Sequence, residues 1–208
     1  RGILPSVRGT RIAGWGLALL VPANAIVVVS LWWRSGGVQD VDDTASLLVG
    51  IGRISGLLGA YLVLVELVLL ARLPALERLA GFERLTRLHR LNGFAAISLL
   101  LTHATLVTVG YALADNLSLL DELGKLISGY PGVITAIAGL ALLVVVAVTS
   151  ARAARRRLRY EMWYFIHLYS YLGVALAFSH QIAAGTAFVG RPVARAYWIA
   201  LYVLTLGA

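Results

Sequence analysis

The sequence predicts an all-α integral membrane protein, a bundle of six transmembrane helices. Three observations lead there: an apolar composition, six apolar stretches of bilayer-spanning length, and arginines gathered in alternate connections. Of 208 residues, 60% are hydrophobic and 13% charged, with a mean hydropathy of +0.84, whereas a soluble domain carries about a quarter charged residues. The excess lies in runs such as Gly56 to Leu70, Ala95 to Leu101 and Val133 to Val148. A hydrocarbon core about 30 Å thick takes about 20 apolar residues of helix to cross. Stretches of that kind lie near 12–33, 45–71, 91–113, 131–150, 162–184 and 193–208. Barrel strands would be shorter and would alternate in polarity, which these stretches do not.

Each element has its own signals. The first stretch is too long for a cleaved signal peptide, and no small-residue cleavage site precedes a soluble body. Within it, Pro22 predicts a kink, and Trp32 and Trp33 suit an aromatic belt at the outer interface. Ser35, Gly36 and Gly37 then open a short outer loop. Predicted helix 2 begins with Gly50, Gly52, Ser55, Gly56 and Gly59, small residues that let a neighbouring helix approach closely, and a flat ligand as well. Pro74 is expected to end that helix, and Pro131 to open helix 4 at its first position. The chain starts at Arg1 and stops inside the sixth apolar run at Ala208, so it is read as one membrane domain, 1–208, of something longer. With no cysteine, iron–sulfur clusters, thiolate sites, disulfides and covalent haem attachment are excluded.

The formal net charge is +8, and its placement decides what it means. Arginines gather before helix 1 (Arg1, Arg8, Arg11), between helices 2 and 3 (Arg72, Arg78, Arg84, Arg87, Arg90) and between helices 4 and 5 (Arg152, Arg155, Arg156, Arg157, Arg159). The other connections hold Asp40, Asp42 and Asp43, then Asp115, Asp121 and Glu122. Arg34, Lys125, Arg191 and Arg195 fall on that side too, scattered. Alternation of this kind is the positive-inside pattern. The charge sets topology and implies no nucleic-acid partner. Both ends and the arginine-rich loops are expected in the cytoplasm, with the protein multi-pass in the plasma membrane and the bilayer as its first partner.

Four histidines stand out. His89 and His103 belong to predicted helix 3, fourteen residues apart; His167 and His180 belong to helix 5, thirteen apart. Both helices run outward, so each offers one histidine near each face, separated by roughly 20 Å of rise. Two levels, each with one histidine from each helix, match two stacked haems b between helices 3 and 5, each clamped axially by two imidazoles. A single intramembrane histidine commonly serves helix–helix hydrogen bonding, but four matched in level do not fit that explanation. A zinc or copper site needs ligands that converge on one ion, which this spacing forbids. A proton relay needs polar stepping stones, and Gly93–Leu101 and Leu172–Phe178 are nearly all apolar. One difficulty remains open: thirteen residues miss a common helix face by about 140°. Helix 5 must tilt, bend near Gly173, or meet its two levels from different sides.

With both axial positions filled, no iron site is left for oxygen or substrate, and the expected chemistry is relay of single electrons. Reduction changes the net charge of a bis-imidazole haem by one unit, mild enough to bury in a bilayer.

The segments Leu88-His89-Arg90-Leu91-Asn92-Gly93 to Leu101-Thr102-His103, and Tyr164-Phe165-Ile166-His167-Leu168 to Phe178-Ser179-His180, resemble the ferric reductase-like transmembrane domain, the family of ferric reductases and NADPH oxidases. The resemblance covers almost the whole chain. It implies a cytoplasmic dehydrogenase domain after the sixth helix that binds FAD and NAD(P)H, and electrons that pass from flavin to an inner haem, an outer haem and an external acceptor such as a ferric chelate or oxygen. By resemblance, His89 pairs with His167 at the inner haem and His103 with His180 at the outer. No dinucleotide-binding glycine fingerprint occurs in these 208 residues. Two positions depart from the family. Val107 stands where oxygen-reducing members have a second histidine, and Gly173 where some members place an aromatic between the haems.

Secondary residues follow. Arg53, in the outer third of helix 2, is expected either to meet a propionate of the outer haem, as the resemblance implies, or to snorkel to the outer loop. Arg90, with Arg87, flanks His89 and is placed at the inner propionates or serves as a topology charge. Glu66 is expected to pair with a loop arginine. Tyr160, Trp163 and Tyr164 suit an interfacial belt, with Trp163 also able to line the inner haem. Two rival functions carry distinct marks. A quinol- or ascorbate-linked di-haem cytochrome b would lack the flavin module, and a non-enzymatic membrane subunit would lack the reduced haem spectrum.

Overall fold

The computed structural model describes residues 7–69 and 71–207, leaving out the side chains of 7–15, 17, 18, 152 and 153. Expectations for Arg1, Arg8, Arg11 and the Arg152 side chain therefore lie outside the described residues. So do Leu70, in the second apolar run, and Ala208, the end of the sixth.

All regular structure among the described residues is helical. The six long helices fall on the six apolar stretches: α1 (Val7–Arg34), α2 (Thr44–Leu69), α4 (Phe82–Asp115), α6 (Val133–Ser150), α8 (Tyr160–Ala184) and α9 (Pro192–Leu206). Three short helices lie in the connections: α3 (Pro74–Ala80), α5 (Leu119–Gly129) and α7 (Arg152–Arg155). By length and composition, α2, α4 and α6 are apolar and long enough to cross a membrane. Tyrosines, Glu161 and two histidines dilute the 25-residue α8, and α9 has 15 residues, about 22 Å at 1.5 Å per residue. The protein is thus a membrane helical bundle.

Several boundaries have visible causes. Asp43 caps α2: its Oδ1 accepts from the Ser46 amide at 2.8 Å, while Ser46 Oγ accepts from the Asp43 amide at 3.0 Å. This reciprocal exchange satisfies two amides that a helix start leaves without partners. Pro74 does more than follow α2; it opens α3, where a missing N–H costs nothing. Gly81, at φ 76°, turns α3 into α4, and α4 therefore starts nine residues before the predicted third stretch. Pro131 does not occupy the first position of α6. It sits in the turn before Gly132, whose φ of 78° puts it in the left-handed region open to glycine.

The long helices pack as two couples. α2 lies along α4, and α6 along α8, with α4 touching α6 and α9 resting on α2. The small residues of α2 are what let the first couple close. A side chain at Gly52 would meet Val107, and one at Gly59 would meet Leu100 at 3.0 Å. In the second couple the crossing is glycine on glycine, Gly139 against the Gly173 carbonyl. By contrast, α4 and α8 are at most marginally in contact along their backbones among the described residues. Trp198, Phe188, Leu64 and Val28 are fully buried and join the couples through α9 and α1. Polar links reinforce this: Gln181 Oε1 accepts from Trp198 Nε1 at 2.7 Å and from Tyr202 Oη at 2.9 Å, and Tyr61 Oη donates to the Val21 carbonyl at 2.8 Å. Trp32 is not a free belt residue. Its Nε1 donates to the Gly50 carbonyl at 3.1 Å, while Trp33 is exposed.

Candidate functional site

The four histidines lie on α4 and α8. At one level the His89 and His167 rings face one another, with centroids 6.1 Å apart and planes at 58°. At the other level, His103 lies beside Gly52 and Gly56 of α2, and His180 lies against Gly132 before α6. The structure thus brings His89 of α4 and His167 of α8 together.

How each ring is held decides which nitrogen it can offer. His103 Nδ1 is 2.8 Å from the Gly52 carbonyl, so it carries the proton and donates. Gly56 leaves room for that ring, since a Cβ there would come within 2.6 Å of Nδ1. His167 Nδ1 is 3.3 Å from Ser150 Oγ, which also accepts from Trp163 Nε1 at 3.2 Å. The Trp163 ring lies 5.0 Å from the His167 ring and under the Arg155 guanidinium at 4.7 Å. His89 Nδ1 meets Glu66 Oε2 as an ion-pair contact without the alignment of a hydrogen bond. His180 Nδ1 is buried beside the Pro131 backbone without a well-formed hydrogen bond, and the His180 backbone rests against Gly132. Three of the four rings therefore turn Nδ1 onto a protein oxygen, which leaves Nε2 as the nitrogen able to bind a metal.

These contacts bear on the thirteen-residue spacing, because a break at Gly173 is not what separates the two histidines. α8 is unbroken through Gly173, and its two histidines lean on opposite ends of α6: His167 on Ser150 at the last turn, His180 on Gly132 at the first. The glycine crossing lies between them. On α4, both rings instead lie along α2.

A haem fits what is present. With metal–nitrogen bonds of about 2.0 Å, two imidazoles on either side of one metal put their centroids about 6 Å apart, as His89 and His167 are. Among the described residues no group of three or more histidine, aspartate or glutamate side chains is placed to hold a metal ion.

The ferric reductase like transmembrane component family matches residues 55–178, more than half of the chain. The chain belongs to that family. It is a membrane protein of oxidoreductase type, and the family points to transmembrane electron transfer. The matched segment contains His89, His103 and His167 and ends two residues before His180. No curated protein and no solved structure matches the chain.

The family departures acquire a structural setting. Val107 packs its Cγ2 and amide against Gly52 of α2. Gly173 faces α6, and a Cβ there would lie 3.0 Å from the Gly139 carbonyl, so this position has no room for an aromatic.

The secondary residues divide. Arg53 is half-buried and donates to Tyr111 Oη at 3.2 Å; both line a cavity of about 370 Å³ with Asp40, Asp42, Asp43 and Gly50. Arg87 and Arg90 are exposed on α4. Glu66 corrects the expectation of a loop arginine, because its two oxygens reach α4, Oε2 at His89 and Oε1 at Asn92 Nδ2. An acidic side chain inside an apolar helix was the signal to look inward.

The connection after α4 also holds more than the sequence suggested. α5 is an amphipathic helix capped by Ser118, and Glu122 and Leu126 on it are buried. Burial pushes the Glu122 carboxyl up, against the pull of Lys125 at 3.8 Å. Lys125 is also ion-paired with Asp115 at the end of α4.

Proposed function

We propose that this chain is the haem domain of a membrane flavocytochrome, carrying electrons across the plasma membrane through two bis-histidine haems b. The path runs from cytoplasmic NAD(P)H through FAD in a following domain to an external acceptor, a ferric chelate or oxygen. The observation that carries the reading is the facing of His89 of α4 and His167 of α8, with Nδ1 of each ring turned back onto the protein. His89 and His167 hold the inner haem, His103 and His180 the outer.

When bound, a haem held by each histidine pair would supply reversible one-electron reduction. The chain's own residues do the rest. Gly52 and Ser150 fix two of the rings through Nδ1, which aims Nε2 into the space between α4 and α8. The apolar side chains between the levels exclude water. Arg53, steadied by Tyr111, offers a cation to an outer propionate, and Arg90 offers one at the inner end. The six long helices span the bilayer with the amino terminus and the arginine-rich connections in the cytoplasm, and the aspartates after α1 outside.

Haem content tests this directly. The purified protein is expected to return two non-covalent haems b per chain in a pyridine haemochrome assay. Replacing His180 with Leu is expected to leave one that flavin still reduces, while reduction of an impermeant ferric chelate collapses. A wild-type content of one haem or none overturns the proposal.

A further inference from the structure

Of the four imidazoles, His89 alone has its Nδ1 against a carboxylate. The others meet a backbone carbonyl, a hydroxyl, or no hydrogen-bond partner. Glu66 is only 14% exposed, on the membrane-spanning helix whose one other charged residue is Arg53, and a carboxylate in such a place costs several kcal/mol unless a partner compensates. Both of its oxygens are engaged on α4. Asn92 Nδ2 donates to Oε1 and also to the Leu62 carbonyl at 2.9 Å, so Asn92 ties the carboxylate to a fixed point of α2. The carboxylate is thus aimed at His89 Nδ1.

Resting on the di-haem reading above, we infer that Glu66 is a positioning residue that tunes the inner haem: its carboxylate on His89 Nδ1 makes this imidazole the strongest donor of the four and sets the inner haem at the lower reduction potential. A carboxylate partner raises the basicity of a metal-bound histidine. The oxidised iron carries one more positive charge than the reduced iron, so a stronger donor and a nearby negative charge both favour the oxidised form. His103 has a neutral carbonyl in the same place, and the outer haem lacks this bias. An electron entering at the inner level then moves downhill to the outer one. Directionality is built into α2, which supports one ligand with a charge and the other with a backbone dipole.

The test is a spectroelectrochemical titration of the full-length protein in detergent, after its two haems have been counted. Glu66→Gln keeps the shape and a hydrogen-bond acceptor but removes the charge. It is expected to shift the inner haem's equilibrium toward reduction about tenfold, or 59 mV for one electron, and to leave the outer haem where it was. An independent arm uses His180→Leu, which keeps the inner ligands: its remaining haem is expected to titrate at the lower of the two wild-type potentials. An unchanged inner potential in Glu66→Gln, or an equal shift of both haems, overturns the inference while the di-haem reading stands. Should Glu66→Gln fail to retain haem, the His180→Leu titration decides alone, and a remaining haem at the higher potential overturns it. Failure of the wild type to bind two haems would instead sink the reading beneath it.

Discussion

The two histidine levels are supported by different kinds of atom. At the His89–His167 level the supports are side chains, Glu66 and Ser150, each replaceable by a single substitution that leaves the backbone alone. At the His103–His180 level they are backbone: the Gly52 carbonyl holds one ring, and Gly56 and Gly132 make space. A side-chain support can be tuned in charge and strength, whereas a backbone support can only be blocked. The first level is therefore suited to setting a property, the second to holding a ligand in place, and substitutions should damage them unequally.

The largest effect is expected from blocking. Gly56→Leu puts a branched side chain where the His103 imidazole stands, since even a Cβ would lie 2.6 Å from Nδ1. Loss of one of the two haems is expected, with the remaining one titrating as the His89–His167 haem. Gly93→Ala is the control at the other level, because its Cβ makes only ordinary contact with Glu66, and it should keep both haems. Two haems retained in Gly56→Leu would erase the contrast.

A smaller effect is expected from Ser150→Ala. It removes the oxygen shared by His167 Nδ1 and Trp163 Nε1 and leaves two partly buried donors without a partner, a loss of about 1–3 kcal/mol. Haem at this level should stay bound at room temperature but leave at a lower temperature than in the wild type, as followed by the Soret band on heating. The second haem should leave at an unchanged temperature.

The smallest effect concerns the start of α2, two to three turns before Gly52 and Gly56. Hydrogen bonds from the Ser46 backbone and side chain hold the Asp43 carboxyl below its ordinary value of 3.8. The folded value is the lower one, so the stabilisation is complete above the unfolded value and is lost as pH falls through the folded one. Thermal melting of wild type and Asp43→Asn should differ slightly at neutral pH and converge on acidification. A difference that persists in acid would show that the cap acts through something other than its charge.

Much of this was legible in the residues, and the reasons can be named. His89 and His103 are fourteen residues apart, which on a helix fixes a distance along the axis. The matched pair on α8 gave the same two levels, and the structure brings the His167 ring to His89. Partners of individual side chains were not legible. Glu66 is 26 residues from Asn92 in sequence, and nothing local distinguishes an inward turn to His89 from an outward one to a loop arginine. α5 was missed because its eleven residues were read only for their charges. Leu119, Leu123 and Leu126 in fact repeat at helical spacing after the Ser118 cap, with Asp121 three residues on.

The sequence by itself determined the helical class, the positions of the long helices and the two levels of histidines. These depend on apolar run length and on a rise of 1.5 Å per residue, both local properties of the chain. Only the tertiary structure decided which way each imidazole faces. Rotation about a helix axis is set by how neighbouring surfaces fit, here glycines of α2 beneath α4 and the Gly139–Gly173 crossing of α6 and α8. Those fits turn His89 onto a carboxylate, His103 onto a carbonyl and His167 onto a hydroxyl, and no spacing rule contains them.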